Sequence, residues 1–236
     1  MRTGNFTGLV TLVCIALYVL SLLLDPLSSA AARRPSLLPG LSLFNPSVMA
    51  LFKLGATGAT LWAEGLWWTP LTAIYLHGDV FHILFNVLWI RQLGPAVEQL
   101  YGQGRLVVIF TLSGVLGFVV SNFVGIPFTI GASGAIFGLL GALIAYGRRR
   151  GGAFGALVLR EYGLWAIILF IYGFLPGTSV NNWAHGGGFV GGFVAGLVLS
   201  FSDRRNESQF ERLMASGLIT MTAVAFGLAV WTAFVV

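Results

Sequence analysis

The residues of this chain with the most chemical reach are one serine and three histidines. Ser133 lies in "GASGAIFG" (131–138), at the head of a long apolar run. A Gly-x-Ser-Gly string resembles the setting of a nucleophilic serine, yet glycine and serine are also ordinary packing residues where membrane helices touch. A serine hydroxyl attacks only when a neighbouring base takes its proton, and histidine titrates in the right range. The histidines are His77, His82 and His185. His82 and Asn86 stand four apart in "HILFN", which puts both on one face of a helix. The acid nearest to them, Asp79, follows Gly78 and precedes an apolar run, and is most simply the N-cap of that helix. One cysteine, Cys14, excludes an intrachain disulfide and a cysteine-rich metal site.

The elements that must position these groups are membrane helices. Of 236 residues 57% are hydrophobic and 9% charged, against about a quarter charged in soluble domains. Seven apolar runs are long enough to approach the roughly 20 residues a bilayer requires: 6–24, 79–97, 105–122, 131–147, 157–175, 183–201 and 216–236. If the chain starts inside, the even-numbered spans run inward from the outer face. His82, Ser133 and His185 then lie roughly 3–5 Å below the outer end of three different helices, and Asn86 about 10 Å below it. Topology alone collects four polar side chains at one depth. Within that cluster Ser133 and His185 form a nucleophile–base pair, and no acid joins them, so a Ser–His dyad is expected rather than a triad. The charge that develops on an attacked carbonyl needs preorganised donors, for which His82, Asn86 and the Ser133 N–H are the candidates. Gly134, Gly138 and Gly141 on span four, and Ala184, Gly188, Gly192 and Gly196 on span six, form stripes that let two helices approach closely.

The basic residues obey the positive-inside rule. Arg2, Arg91, Arg105, Arg148, Arg149, Arg150, Arg160, Arg204, Arg205 and Arg212 fall on one side of this layout, and Arg33, Arg34 and Lys53 on the other. That places the N-terminus inside and the C-terminus outside. The net charge of +5 is therefore a topology signal, and nucleic acid is not expected as a partner. Arg2, the apolar core and Ser28-Ser29-Ala30 also match a cleavable signal peptide. The run from Phe6 to Leu24 is long for one, which favours a retained helix. The outer segment carries Phe44, Phe52, Trp62, Trp67 and Trp68 and is expected at the membrane surface or packed on helix tops.

"HGDVFHILFN" (77–86), "GASGAIFG" (131–138) and "AHGGGFVGG" (184–192), in this order, resemble the signature segments of the rhomboid family of intramembrane serine proteases. The resemblance covers residues 6 to about 201, and the last helix is similar to the extra span of six-plus-one members. It implies an all-α polytopic membrane protein with a rhomboid-like core over 1–201, an outer loop over 25–78, and a loop with a seventh helix over 202–236. It implies that Ser133 is the nucleophile and His185 the base, that His82, Asn86 and Ser133 form the oxyanion hole, and that His77, Gly131, Gly134, Phe137 and Gly188 support the site or the substrate. Implied partners are the bilayer and single-span or other transmembrane substrates, cut near the outer face, without metal or cofactor. An inactive relative that only binds transmembrane helices is the alternative. Short loops and the lack of an Arg/Ser-rich transit segment favour a bacterial plasma membrane. Two positions depart from the family pattern. Phe137 stands where many members carry tyrosine, and Trp67-Trp68 stands where a Trp-Arg pair is common, so an arginine anchor for the outer loop is absent.

Overall fold

The computed structural model describes residues 5–25, 44–175, 178, 180–199, 201 and 206–234. Arg2, Arg33, Arg34, Arg204, Arg205 and the small residues Ser28, Ser29 and Ala30, on which expectations about topology and cleavage rested, lie outside them. The described residues form ten helices and no strand: α1 (Asn5–Leu23), α2 (Val48–Lys53), α3 (Ala59–Ala63), α4 (Thr69–Ala73), α5 (Val80–Tyr101), α6 (Gln103–Phe123), α7 (Ser133–Arg150), α8 (Gly152–Tyr172), α9 (Asn182–Val198) and α10 (Gln209–Phe234). The seven long helices overlap the seven apolar runs of the sequence, with shifted ends. α5 runs through Pro95 to Tyr101 rather than stopping near 97. α10 starts at Gln209 rather than 216, because Ser208 and Glu211 close a capping box: the Glu211 N–H donates to Ser208 Oγ, and the Ser208 N–H to Glu211 Oε2.

Five helices, α1, α5, α6, α8 and α10, are long and apolar enough to cross a membrane, and the protein is an integral multi-pass membrane protein. α7 and α9 fall short of that standard: α7 ends in Arg148, Arg149 and Arg150, and α9 has 17 residues. α7 is instead enclosed by protein, whereas α9 buries its glycine face and leaves Trp183, Val190, Val194 and Val198 exposed. Thirteen α7 residues, from Gly134 to Gly147, are buried, and α7 packs most extensively on α9 and next on α8 and α6.

Glycine makes that contact possible. A Cβ on Gly188 would stand 2.1 Å from the Gly134 carbonyl oxygen, and one on Gly192 1.9 Å from the Gly138 oxygen. A Cβ on Gly117 of α6 would stand 2.4 Å from Ala184 O. The backbones of α6, α7 and α9 therefore touch without side chains between them, the close approach that small residues permit in membranes.

Two arginines prove to be structural rather than only topological. Arg105 is fully buried, and its guanidinium donates to both Glu211 carboxylate oxygens at 2.9 and 3.0 Å and to the Tyr101 carbonyl at 2.9 Å. This bidentate pair fastens the start of α10 to the start of α6. Arg149 donates to the Gly196 and Leu199 carbonyls at 2.9 and 2.6 Å and lies over the Phe201 ring, closing the end of α9.

The segment from 44 to 78 is anchored without an arginine. Trp68 is buried against Leu71, Ala225 and Ala229, while Trp67 is exposed. Thr69 Oγ1 donates to Thr57 Oγ1 at 2.9 Å, Thr72 Oγ1 to Gly55 O at 2.6 Å, and Asn122 Nδ2 to Thr57 Oγ1 at 3.1 Å. Threonine hydroxyls and the face of α10 supply the anchor that the sequence pattern lacked.

Candidate active site

The nucleophile candidate sits at the first residue of α7. The strand-like approach to it, 126–131, is held against the 44–78 segment at three points: Ala59 N–H donates to Ile126 O at 2.8 Å, Thr129 N–H to Thr57 O at 2.8 Å, and Gly131 N–H to Ala73 O at 2.9 Å. Gly131 has φ of +117°, a conformation that favours glycine. A Cβ there would also lie 2.5 Å from His82 Nε2, so this position admits only glycine for two separate reasons. Beyond the turn, Ser133 starts the helix, where the first N–H groups have no intrahelical acceptor and the dipole favours negative charge.

The base candidate comes from α9. Asn181 caps that helix, its Oδ1 accepting from Ala184 N at 3.2 Å, and its Nδ2 donates to Ser121 Oγ at 2.5 Å and Thr129 Oγ1 at 3.0 Å. One asparagine thus ties α9 to α6 and to the loop leading into Ser133. His185 follows one turn later, and its Nε2 lies 2.8 Å from Ser133 Oγ. Phe137, one turn into α7, stacks on the His185 ring with centroids 4.2 Å apart and planes 21° apart. His185 is buried, whereas Ser133 is half-buried.

His82 and Asn86 occupy one face of α5, as their spacing predicts. Asp79 caps the helix through its side chain, accepting from the His82 N–H at 2.8 Å. His82 Nδ1 accepts from the Gly78 N–H at 3.4 Å, which leaves the proton of the neutral ring on Nε2, the nitrogen directed at Gly131. Asn86 Nδ2 donates one hydrogen to the His82 carbonyl at 2.7 Å and keeps its second for another acceptor. His77 lies edge-on to His82 at 5.0 Å, fully buried, with Nδ1 on the Tyr75 carbonyl at 3.2 Å. Burial, with His82 beside it, holds the His77 imidazole well below the ordinary histidine range and so neutral.

All nine expected site residues therefore lie in one region of the fold. Ser133, His185, Phe137, Gly134 and Gly188 meet where α7 packs on α9, and His82, Asn86, Gly131 and His77 form a second group beside it. Asn181 was not singled out in the sequence. Its signal was available: an asparagine directly before the apolar run of α9, the position of an N-cap. No group of three or more metal-binding side chains occurs among the described residues.

This fold and this constellation define a class, and comparison with known proteins agrees. The rhomboid-domain family model matches residues 64–202, and the chain belongs to the rhomboid family. It is 37% identical over 183 residues to rhomboid protease GluP of Bacillus subtilis, a match covering 75% of this chain and 34% of that one. It is 36% identical over 168 residues to RHOMBOID-like protein 5 of Arabidopsis thaliana, covering 66% and 52%. It is 35% identical over 142 residues to rhomboid protease GlpG of Salmonella newport, covering 59% and 49%. The chain spans about a third to a half of the length of the curated relatives it matches.

Proposed function

We propose that the chain is an intramembrane serine endopeptidase that cuts transmembrane segments of other membrane proteins with the Ser133–His185 dyad. The observation that carries this reading is the 2.8 Å separation of Ser133 Oγ and His185 Nε2 at the head of α7. Neutral His185 with its proton on Nδ1 accepts the Ser133 hydroxyl proton at Nε2 while Oγ bonds to the scissile carbonyl carbon. The carbonyl oxygen becomes an oxyanion, met by the Ser133 N–H, the His82 Nε2–H and the free Asn86 N–H. Collapse breaks the C–N bond, and the His185 proton leaves with the amine. The acyl chain stays esterified to Ser133 until water attacks, with His185 again taking the proton. No step calls for a metal or cofactor.

A transmembrane helix hides its carbonyls in i to i−4 hydrogen bonds, so a substrate must unwind locally before attack. Small residues at the cleavage point and helix-loosening residues beyond it fit that requirement. The arginine-rich end of the bundle is read as cytoplasmic, which directs the dyad to the outer face of a bacterial plasma membrane.

The purified protein in detergent is expected to cleave a model single-span substrate, with Ser133→Ala and His185→Ala each abolishing cleavage. Equal turnover by Ser133→Ala overturns the assignment. Labelling by a serine-reactive phosphonate that needs both residues separates an active protease from an inactive helix-binding relative. A reporter fused after Val236 is expected to be active outside the cytoplasm.

A further inference from the structure

The rhomboid-domain match ends at residue 202, so α10 lies beyond it, yet α10 reaches the support of the candidate site. Thr222, Ala225, Phe226 and Ala229 recur at helical spacing on one face of α10. Ala225 and Ala229 are buried against Trp68 and Leu71 at and beside α4. A Cβ on Gly55 would lie 3.3 Å from Ala229 Cβ, so α10 also abuts the turn after α2. The Phe226 ring packs on Tyr75 with centroids 5.9 Å apart. At its other end α10 is locked by the buried Arg105–Glu211 pair.

What lies between α10 and the site is a short strut, residues 68–77, and two of its backbone carbonyls hold the site. Ala73 O accepts the Gly131 N–H at 2.9 Å and Tyr75 O meets His77 Nδ1 at 3.2 Å. Gly131 leads into Ser133, and His77 packs on His82. The strut meets α10 through the side chains of Trp68, Leu71 and Tyr75, and the candidate site through its backbone carbonyls.

We propose that α10 is a positioning element for the reaction: Ala225, Phe226 and Ala229 clamp the 68–77 strut through its Trp68, Leu71 and Tyr75, and the strut fixes the Gly131 turn and His82 in register with His185. The consequence for chemistry rests on the serine-protease reading above, and the consequence for geometry does not. A clamp of this kind acts on the reacting serine rather than on substrate affinity, because the strut holds Gly131, which leads into Ser133, and His77, which packs on His82.

The test uses the full chain in detergent with Trp68→Ala and Phe226→Ala, the conservative Trp68→Phe and Phe226→Tyr, and Val224→Ala and Val230→Ala on the exposed face of α10 as controls. Measured well below the melting temperature, the alanine variants at the clamp are expected to lose at least fivefold in kcat with KM within twofold. Phosphonate labelling of Ser133 is expected to slow by a similar factor, and hydrogen exchange at the Gly131 amide to accelerate. The conservative variants restore all three, and the controls match wild type. Unchanged Gly131 exchange, or a lower melting temperature with kcat and labelling intact, overturns the proposal. If wild type neither cleaves nor labels, the protease reading fails, and the exchange measurement still decides whether α10 holds the turn.

Discussion

Phe137 lies flat on His185, with ring centroids 4.2 Å apart and planes 21° apart. The hydroxyl missing relative to the usual tyrosine takes no part in this stack, because the contact is face to face. The stack fixes the plane of the imidazole and, with it, the direction of Nε2. An aromatic pair of this kind is worth about 0.5–1.5 kcal/mol beyond its buried area, or roughly two- to twelvefold in rate if all of it is felt in the transition state. Phe137→Ala is therefore expected to lower kcat by up to about tenfold, and Phe137→Tyr to leave it near wild type, measured on a single-span substrate.

Gly192 is the tightest point between α7 and α9, a Cβ there falling 1.9 Å from the Gly138 oxygen. The obstacle is backbone, which cannot rotate away. Gly192→Ala is expected to cost at least about 1–3 kcal/mol through overpacking and to reduce cleavage by moving His185 off Ser133. Gly163→Ala and Gly217→Ala, where a Cβ meets nothing within 4 Å, are expected to leave both thermal stability and turnover unchanged.

His77 is buried neutral. Below about pH 6.5 an unfolded imidazole binds a proton that the folded one refuses, so the unfolded state gains and stability falls as pH drops. The slope for one such group reaches about 1.4 kcal/mol per pH unit. The melting temperature of wild type is expected to fall between pH 7.5 and 5.5 more steeply than that of His77→Gln, and equal slopes would show that His77 binds a proton as readily in the folded protein as in the unfolded chain.

Arg105 and Glu211 form a buried pair at the foot of α10, with 0% and 5% side-chain exposure. Removing one partner strands a buried charge, which typically costs about 3–5 kcal/mol, whereas replacing both with apolar residues is often neutral. Glu211→Leu alone is expected to lower the melting temperature more than the Arg105→Leu/Glu211→Leu double variant does.

Much of the site was legible in the sequence because its signals are local. The i, i+4 spacing of His82 and Asn86, the small-residue stripes on α7 and α9, and the shared depth of three helix starts each follow from period and topology. The rest depended on partners distant in the chain. Arg105 read as one of ten topology charges until Glu211 closed on it. The outer segment read as lacking an anchor, because the Thr57–Thr129 and Trp68–Ala225 contacts leave no periodic trace in either stretch. The ends of α5 and α10 moved because polar residues there are satisfied by caps and by each other, which a hydropathy window does not count.

Ser133 and His185 are 52 residues apart in the chain and are carried by two different helices, α7 and α9. A chain that ends at α8 holds Ser133 but not His185. The Ser133–His185 contact depends on the glycine face of α9 lying against α7 and α6. Local structure cannot bring the two residues together, and their contact exists only where the two glycine faces have met.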